Sequence, residues 1–303
     1  MKSQSEIRQS VTTRIVEALK SGAVPFWRKP WSDGNQSGFP TNAATGRRYR
    51  GINLLLLSLA GHDSKWWATY NQWKSVGGQV RRGEKGSTII LYKPVRKAEI
   101  NDDGDEEITS FSFLTTFTVF HISQVDGDLK KYRDVPQTES EMTFEDFPPA
   151  EEIFSATGAD IRFGGDRAFY SPSEDYIQMP QKEAFAKSHE FYNVLAHEIT
   201  HWTGNEKRLN RLDRFARFGN EAYALEELVA ELGSAFLSAE LGVPQSDDLS
   251  NVTAYLGSWL KVLERDPTAI FSASSAASAA VDYVLSFSRE KEEVEEVGAV
   301  AVN

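Results

Sequence analysis

The chain reads as an α+β protein in two domains, on three observations. Charge divides it: residues 1–97 hold 17 Lys and Arg against 5 Asp and Glu, a net of +12, while the remainder holds 16 against 39, a net of −23. The two halves together give the −11 of the whole chain. Helical and strand-like patterns occur in both halves, and 303 residues are enough for two cores. Finally, His197, Glu198 and His201 fall inside an apolar stretch of helical period, far from the basic half.

Taken in order, residues 5–21 predict an amphipathic helix, with Ile7, Val11, Ile15 and Leu19 on one face and its end near Gly22. Residues 51–60 and 66–77 also read as helical. Thr88 to Lys93 and Ser110 to Phe120, rich in β-branched and aromatic residues, read as strands. The acidic stretch from Asn101 to Glu107, turned at Gly104, joins them as a hairpin loop. Residues 123–152, with their acids and Pro136, Pro148 and Pro149, read as an interdomain connection. Asp160 to Phe163 follows as a strand, and Ala168 to Pro180 as two short strands around a Ser-Pro-Ser-Glu turn. Helices are expected at about 183–203, 221–241, 250–264 and 267–287, and the acidic stretch from Glu290 to Asn303 as a frayed tail. The domains are then 1–122 and 153–289, joined by 123–152 and followed by 290–303.

The absence of cysteine excludes disulfides, Cys-ligated zinc and thiol catalysis, and is compatible with a reducing compartment. The N-terminus is polar and carries no signal-peptide pattern. The apolar run Ile52 to Ala60 contains Asn53 and Ser58 and is too short to cross a bilayer. The expectation is a cytoplasmic protein with no membrane partner.

His197 and His201, four residues apart on a helix, lie one above the other, so both imidazoles reach one ion. Glu198 then stands beside that ion, where a carboxylate takes a proton from water, which is the layout of a zinc hydrolase. Phe191, Val194 and Leu195 form the buried stripe, and Gly204 is expected to end the helix in a left-handed conformation. The third ligand should come from the helix around 223–236, where Glu227 and Glu231 share a face. Glu227 is favoured as ligand and Glu231 as the support for a ligand histidine, although spacing alone does not order them. Glu226 lies about 100° round the helix and is expected to be solvated.

The basic half interleaves cations with rings, the composition that single-stranded nucleic acid needs: phosphates meet the cations and bases stack on the aromatics. Trp66, Trp67, Tyr70 and Trp73 sit at spacings that also suit a buried face. The set expected to be exposed for DNA is Trp27, Arg28, Lys29, Arg47, Arg48, Tyr49, Arg50, Arg81, Arg82 and Lys85.

Several runs carry a family resemblance. Pro25 to Trp31, Asn42, Thr45 to Arg47, Tyr49 to Asn53, Gln72-Trp73, Gly77-Gly78 and Arg82 to Gly86 resemble the N-terminal domain of ArdC-type antirestriction proteins. Tyr170 to Asp175, Ile177, Met179-Pro180, His197 to His201, Arg208-Leu209, Glu226 to Glu231 and Phe271 to Leu285 resemble the zincin-like metallopeptidase domain fused to it. The resemblance implies a basic α+β domain that binds single-stranded DNA, ahead of a zincin-like metalloprotease domain. It also implies a role carried by conjugative plasmids, protecting incoming DNA from host restriction enzymes, whose subunits become candidate partners. In such a fold an edge strand lies beside the metal, here one arm of 168–179.

The expected centre is one divalent ion, zinc by preference with manganese, cobalt or nickel also accommodated, held by His197, His201 and Glu227. Glu198 is the general base. Tyr192 or Tyr223 is the expected oxyanion donor. Two other readings stay open: a protease acting on proteins crosslinked to DNA, and a DNA-binding protein whose metal domain performs no turnover.

Overall fold

The computed structural model describes residues 3–21, 27, 39–62, 64–100, 106–133, 147–212, 220–246 and 250–300. Helix α1 (Gln4–Ser21) buries Ile7, Val11, Ile15 and Leu19, as their spacing requires, together with Thr12. The Thr12 hydroxyl donates to the Pro267 carbonyl at 2.7 Å, tying the start of the chain to its last third. Strand β1 (Thr41–Asn42) runs parallel to β2 (Trp66–Ala68). β2 pairs antiparallel with β5 (Glu106–His121), and β5 with β4 (Ser87–Ile100), giving the order β1-β2-β5-β4. The two predicted runs pair, but the strands extend beyond them: the β4–β5 register runs from Ser87 opposite Val119 to Ile100 opposite Glu106. Glu106 and Glu107 of the expected loop are therefore strand, with 101–105 outside the described residues. β4 is an edge strand. Asn53, in helix α2 (Ile52–Ser58), covers it at Ile90, accepting from the backbone N–H at 2.7 Å and donating to the carbonyl at 2.8 Å. Two edge ladder groups, the N–H and carbonyl of buried Ile90, are thereby satisfied by one side chain.

Two expectations fail in this half. Residues 66–77 are not one helix: Trp66 to Ala68 are strand, and helix α3 (Tyr70–Ser75) begins only after Thr69, whose side chain caps it in a reciprocal box with Gln72. Alternation sends Trp66 and Trp67 to opposite faces, Trp66 against Tyr132 and Trp67 against Leu57 and Val119. Residues 123–133 are not linker either. β6 (Val125–Gly127) pairs with β3 (Gly78–Val80), helix α4 (Lys130–Arg133) follows, and Val125, Leu129 and Tyr132 close a small core with Ala68, Trp73 and Ile122. Their apolar side chains are too sparse for a periodicity but sufficient to cap an existing sheet. Residues 134–146 of the expected connection lie outside the described residues.

The second half opens with helix α5 (Pro148–Ala156). β7 (Asp160–Phe163) runs parallel to β9 (Tyr176–Met179), and β8 (Phe169–Ser171) pairs antiparallel on the other side, so β8 is an edge. Helices α6 (Ser188–Thr203), α7 (Asn220–Leu241), α8 (Ser250–Arg265) and α9 (Ala269–Val300) complete it. The backbone of the expected tail is helical as far as Val300, since its Glu-, Val- and Ala-rich sequence contains no proline, while 301–303 lie outside the described residues. The stretch Ala269–Ser288 has the length and apolarity to cross a membrane; here Ala273, Ala277, Val281 and Val284 fill the core. That core is shared: Ile7, Ile15, Leu19 and Leu55 belong to the same cluster as Phe236, Trp259 and Leu263. The two halves therefore share the main core, while the small core around Trp73 and Val125 belongs to the first half alone.

Candidate metal centre

The site is built where α7 crosses α6. Gly233 permits the crossing, because a Cβ there would lie 2.4 Å from Thr200 Cγ2. Ser234 Oγ adds a hydrogen bond to the Asn193 carbonyl at 2.7 Å. The end of α6 is held from outside the helix. Gly204 is right-handed (φ −79°), contrary to the left-handed ending expected, and its lack of a side chain serves another purpose. The Arg211 guanidinium carbon packs 3.0 Å from where a Cβ would stand. Arg211 donates to the Thr203 hydroxyl at 3.0 Å, to the Thr200 carbonyl at 2.5 Å and to Glu226 at 2.8–3.2 Å.

His197, His201 and Glu227 each offer one ligand atom, all within 4.8 Å of one another. Nε2 of His197 lies 3.5 Å from Glu227 Oε2, and Nε2 of His201 lies 3.6 Å from Oε1. Glu198 is buried beside them. Two imidazole nitrogens and a carboxylate, on side chains little exposed to solvent, converge into a donor set that suits a divalent ion.

Burial alone would lower the His197 imidazole, but the Glu227 hydrogen bond and the charges of Glu198, Glu227 and Glu231 outweigh it and raise it. Burial pushes Glu227 up, but His197, His201 and a hydrogen bond from Tyr223 bring it below the usual carboxylate range.

Glu226 is not solvated, as its helical angle suggested, but only 4% exposed. It contacts Nδ1 of His201 at 3.1 Å and pairs with Arg211, and these two partners hold its carboxyl low against the effect of burial. The histidine support expected of Glu231 therefore falls to Glu226, because the loop after α6 brings Arg211 to that side of α7. Glu231 is buried and accepts a long hydrogen bond, 3.5 Å, from Trp27 Nε1. No helical periodicity could have found Arg211; an acid directly beside Glu227 was the only local hint of Glu226.

Of the two tyrosines, Tyr192 is engaged elsewhere: its hydroxyl donates to Glu151 and receives Lys182, so it does not serve the site. Tyr223 is 58% exposed and hydrogen-bonds to Glu227, with Tyr255 Oη 3.3 Å from its own. On the other flank, Asp175 in the β8–β9 turn pairs with Arg208 and accepts from Tyr170 at 2.8 Å. Asn205 donates to the same Tyr170 hydroxyl at 2.8 Å. This cluster anchors the edge hairpin to the loop after His201.

The expected DNA contacts do not form one exposed set. Trp27 is 1% exposed, packed against Trp259, which removes it from any stacking role. Arg48 pairs with Glu240 and Arg50 with Asp282, both across the two halves. Arg81 is held by Glu84 and Asp126. Tyr49 is half-buried, its phenol pushed up by burial, and its hydroxyl accepts from Asn42 at 3.1 Å. Arg47, Arg82 and Lys85 are exposed. Arg28 and Lys29 lie outside the described residues. The structure thus spends several cations of the basic half on the acidic one, which charge counting could not foresee.

Comparison with known proteins agrees with this layout. Residues 5–120 match the model of the N-terminal domain of the anti-restriction factor ArdC, and 148–276 that of a zincin-like metallopeptidase. The crystal structure of the antirestriction ArdC protein from plasmid R388, metal-free, superposes with a TM-score of 0.78 at 38% identity, covering 94% of this chain and 98% of that one. Its Mn(II)-bound form gives 0.72, also at 38% identity, over 93% and 97%. The uncharacterized protein y4eC of Sinorhizobium fredii is 36% identical over 92% of both chains. DNA primase TraC of Escherichia coli is 39% identical over 93% of this chain but only 27% of its own length, so the chain spans about a quarter of that relative. The shared fold, both matched domains and the full-length relatives make the conclusion plain: this chain belongs to the ArdC family of antirestriction proteins, an ArdC N-terminal domain joined to a zincin-like metallopeptidase domain.

Proposed function

We propose that this chain protects incoming plasmid DNA from host restriction by binding it as a single strand through the basic half and cleaving peptide bonds at the His197, His201 and Glu227 centre. The convergence of both Nε2 atoms on one buried carboxylate carries the reading. Those three residues would hold the ion. Zinc is our assignment from the donor set, with manganese the alternative because an ArdC relative binds Mn(II). When bound, the ion supplies Lewis acidity, lowering the pKa of water and polarising a carbonyl.

The remaining steps belong to the chain. Glu198 takes the proton from the attacking water and returns it to the leaving amine. Glu226 accepts from Nδ1 of His201, fixing the tautomer that turns Nε2 toward the site. Arg211 keeps Glu226 ionised in its buried position. Tyr223, on the open side, would turn its hydroxyl proton from Glu227 to the oxyanion once that carboxylate engages the ion. Edge strand β8 offers backbone groups to an extended substrate. The target protein belongs to the restriction machinery on this reading.

Metal analysis of the purified protein against His197→Ala tests the centre, and proteolysis of restriction subunits by Glu198→Ala tests the chemistry. The expected result is metal in wild type and in Glu198→Ala, none in His197→Ala, and cleavage only by wild type. Equal metal content in all three, or cleavage by Glu198→Ala, refutes the assignment.

A further inference from the structure

The cations and ring singled out by sequence are largely engaged or buried, so a strand of DNA needs another surface. Resting on the single-strand reading above, we propose that the cavity between α1 and the β4–β5 hairpin receives one unstacked nucleotide of the bound strand. The cavity measures about 300 Å³, room for a base and its sugar. Val11 and Leu56 supply apolar walls, Phe113 a ring that is 37% exposed, and Ser10 and Thr116 hydroxyls. Arg14 lines it too, and among the described residues it has no ion-pair partner. Tyr92, opposite Leu114 in the hairpin register and 45% exposed, extends the surface beyond the cavity, close enough to Arg8 for its hydroxyl to feel that charge.

The chemistry selects the ligand. A nucleobase presents a π face to Phe113, and its edge carries both donors and acceptors, which hydroxyls meet equally well. The phosphate that comes with it meets Arg14. A wholly apolar ligand would leave the hydroxyls and the guanidinium desolvated without partners. An extended neutral peptide brings no counter-charge for Arg14, which lines the cavity, or for Arg8 near Tyr92, whereas a polyanion does. Because stacking and hydroxyl contacts tolerate any base, the site predicts little sequence preference.

Fluorescence anisotropy of the full-length protein with a labelled 15-nucleotide poly-dT is the test, alongside an abasic oligonucleotide of the same length. Phe113→Ala should weaken poly-dT binding by about fivefold or more, Phe113→Trp should retain it, and neither should affect the abasic strand. Ser10→Trp, which fills the cavity from the exposed side of α1, should weaken binding similarly. Arg14→Gln should flatten the slope of log K against log salt by about 0.7. Wild-type protein with no affinity for poly-dT would overturn the single-strand reading and this site together. Wild-type binding that Ser10→Trp and Phe113→Ala leave within twofold would overturn the cavity alone.

Discussion

Gly233 meets Thr200 at the closest point of the α6–α7 crossing: a Cβ on residue 233 would lie 2.4 Å from Thr200 Cγ2 and 2.5 Å from its Oγ1. The threonine cannot swing clear cheaply, since its hydroxyl donates to the Ala196 carbonyl at 2.7 Å and its β-branched side chain has few rotamers. One missing side chain therefore sets the distance from His197 and His201 to the acids of α7.

Gly233→Ala should destabilise the fold by about 1–3 kcal/mol through overpacking and should also lower metal affinity by displacing Glu227. Denaturant unfolding and metal titration check this, with Thr200→Ala expected to restore part of the loss. A Gly233→Ala variant with wild-type stability would show that α7 moves freely.

Removing Glu226 leaves Arg211 as an uncompensated buried charge, for a loss of about 3–5 kcal/mol. Glu226→Gln retains an acceptor for His201, so metal affinity should fall by about 10–100-fold in Glu226→Ala and by less in Glu226→Gln. Isothermal titration calorimetry separates the two, and equal affinities would remove the histidine-orienting role.

Trp27→Ala should lower stability by about 3–5 kcal/mol, the cost of emptying a buried aromatic site. Unfolding by urea measures it. A loss under about 0.5 kcal/mol would show that the tryptophan is not seated in the core.

Asp175 is held at about 2 by its Arg208 hydrogen bond, helped by Tyr170 and opposed by burial. A folded pKa below the unfolded value of about 4 adds stability above that value, which is lost as pH falls from about 4 through about 2. Asp175→Asn should flatten the pH dependence of the urea midpoint between pH 5 and pH 2. Asparagine accepts the left-handed backbone at this position (φ 58°), so the comparison isolates the charge. An unchanged profile would assign the acid sensitivity to other groups.

Among the cations, Arg82→Ala should reduce the salt dependence of oligonucleotide binding. Arg48→Ala and Arg50→Ala should leave it nearly unchanged, because Glu240 and Asp282 already engage them. Those two changes should cost no more than about 1 kcal/mol each in stability, since both pairs are partly solvated. A steeper loss of DNA affinity with Arg48→Ala than with Arg82→Ala would reverse the assignment.

Much of this protein was written in short-range pattern. The α6 helix, the two histidines on one face with Glu198 between them in sequence, the amphipathic α1 and the long hairpin all follow from periods of 3.6 and 2, which each segment carries within itself. What the tertiary structure decided lies between segments distant in sequence. It turned Glu227 toward both Nε2 atoms, brought Arg211 to bury Glu226, drew Trp27 into the core beside Glu231, and set Arg48 and Arg50 against acids nearly 200 or more residues away. Periodicity specifies which face a residue occupies; the neighbour that will cover that face depends on how the other elements pack.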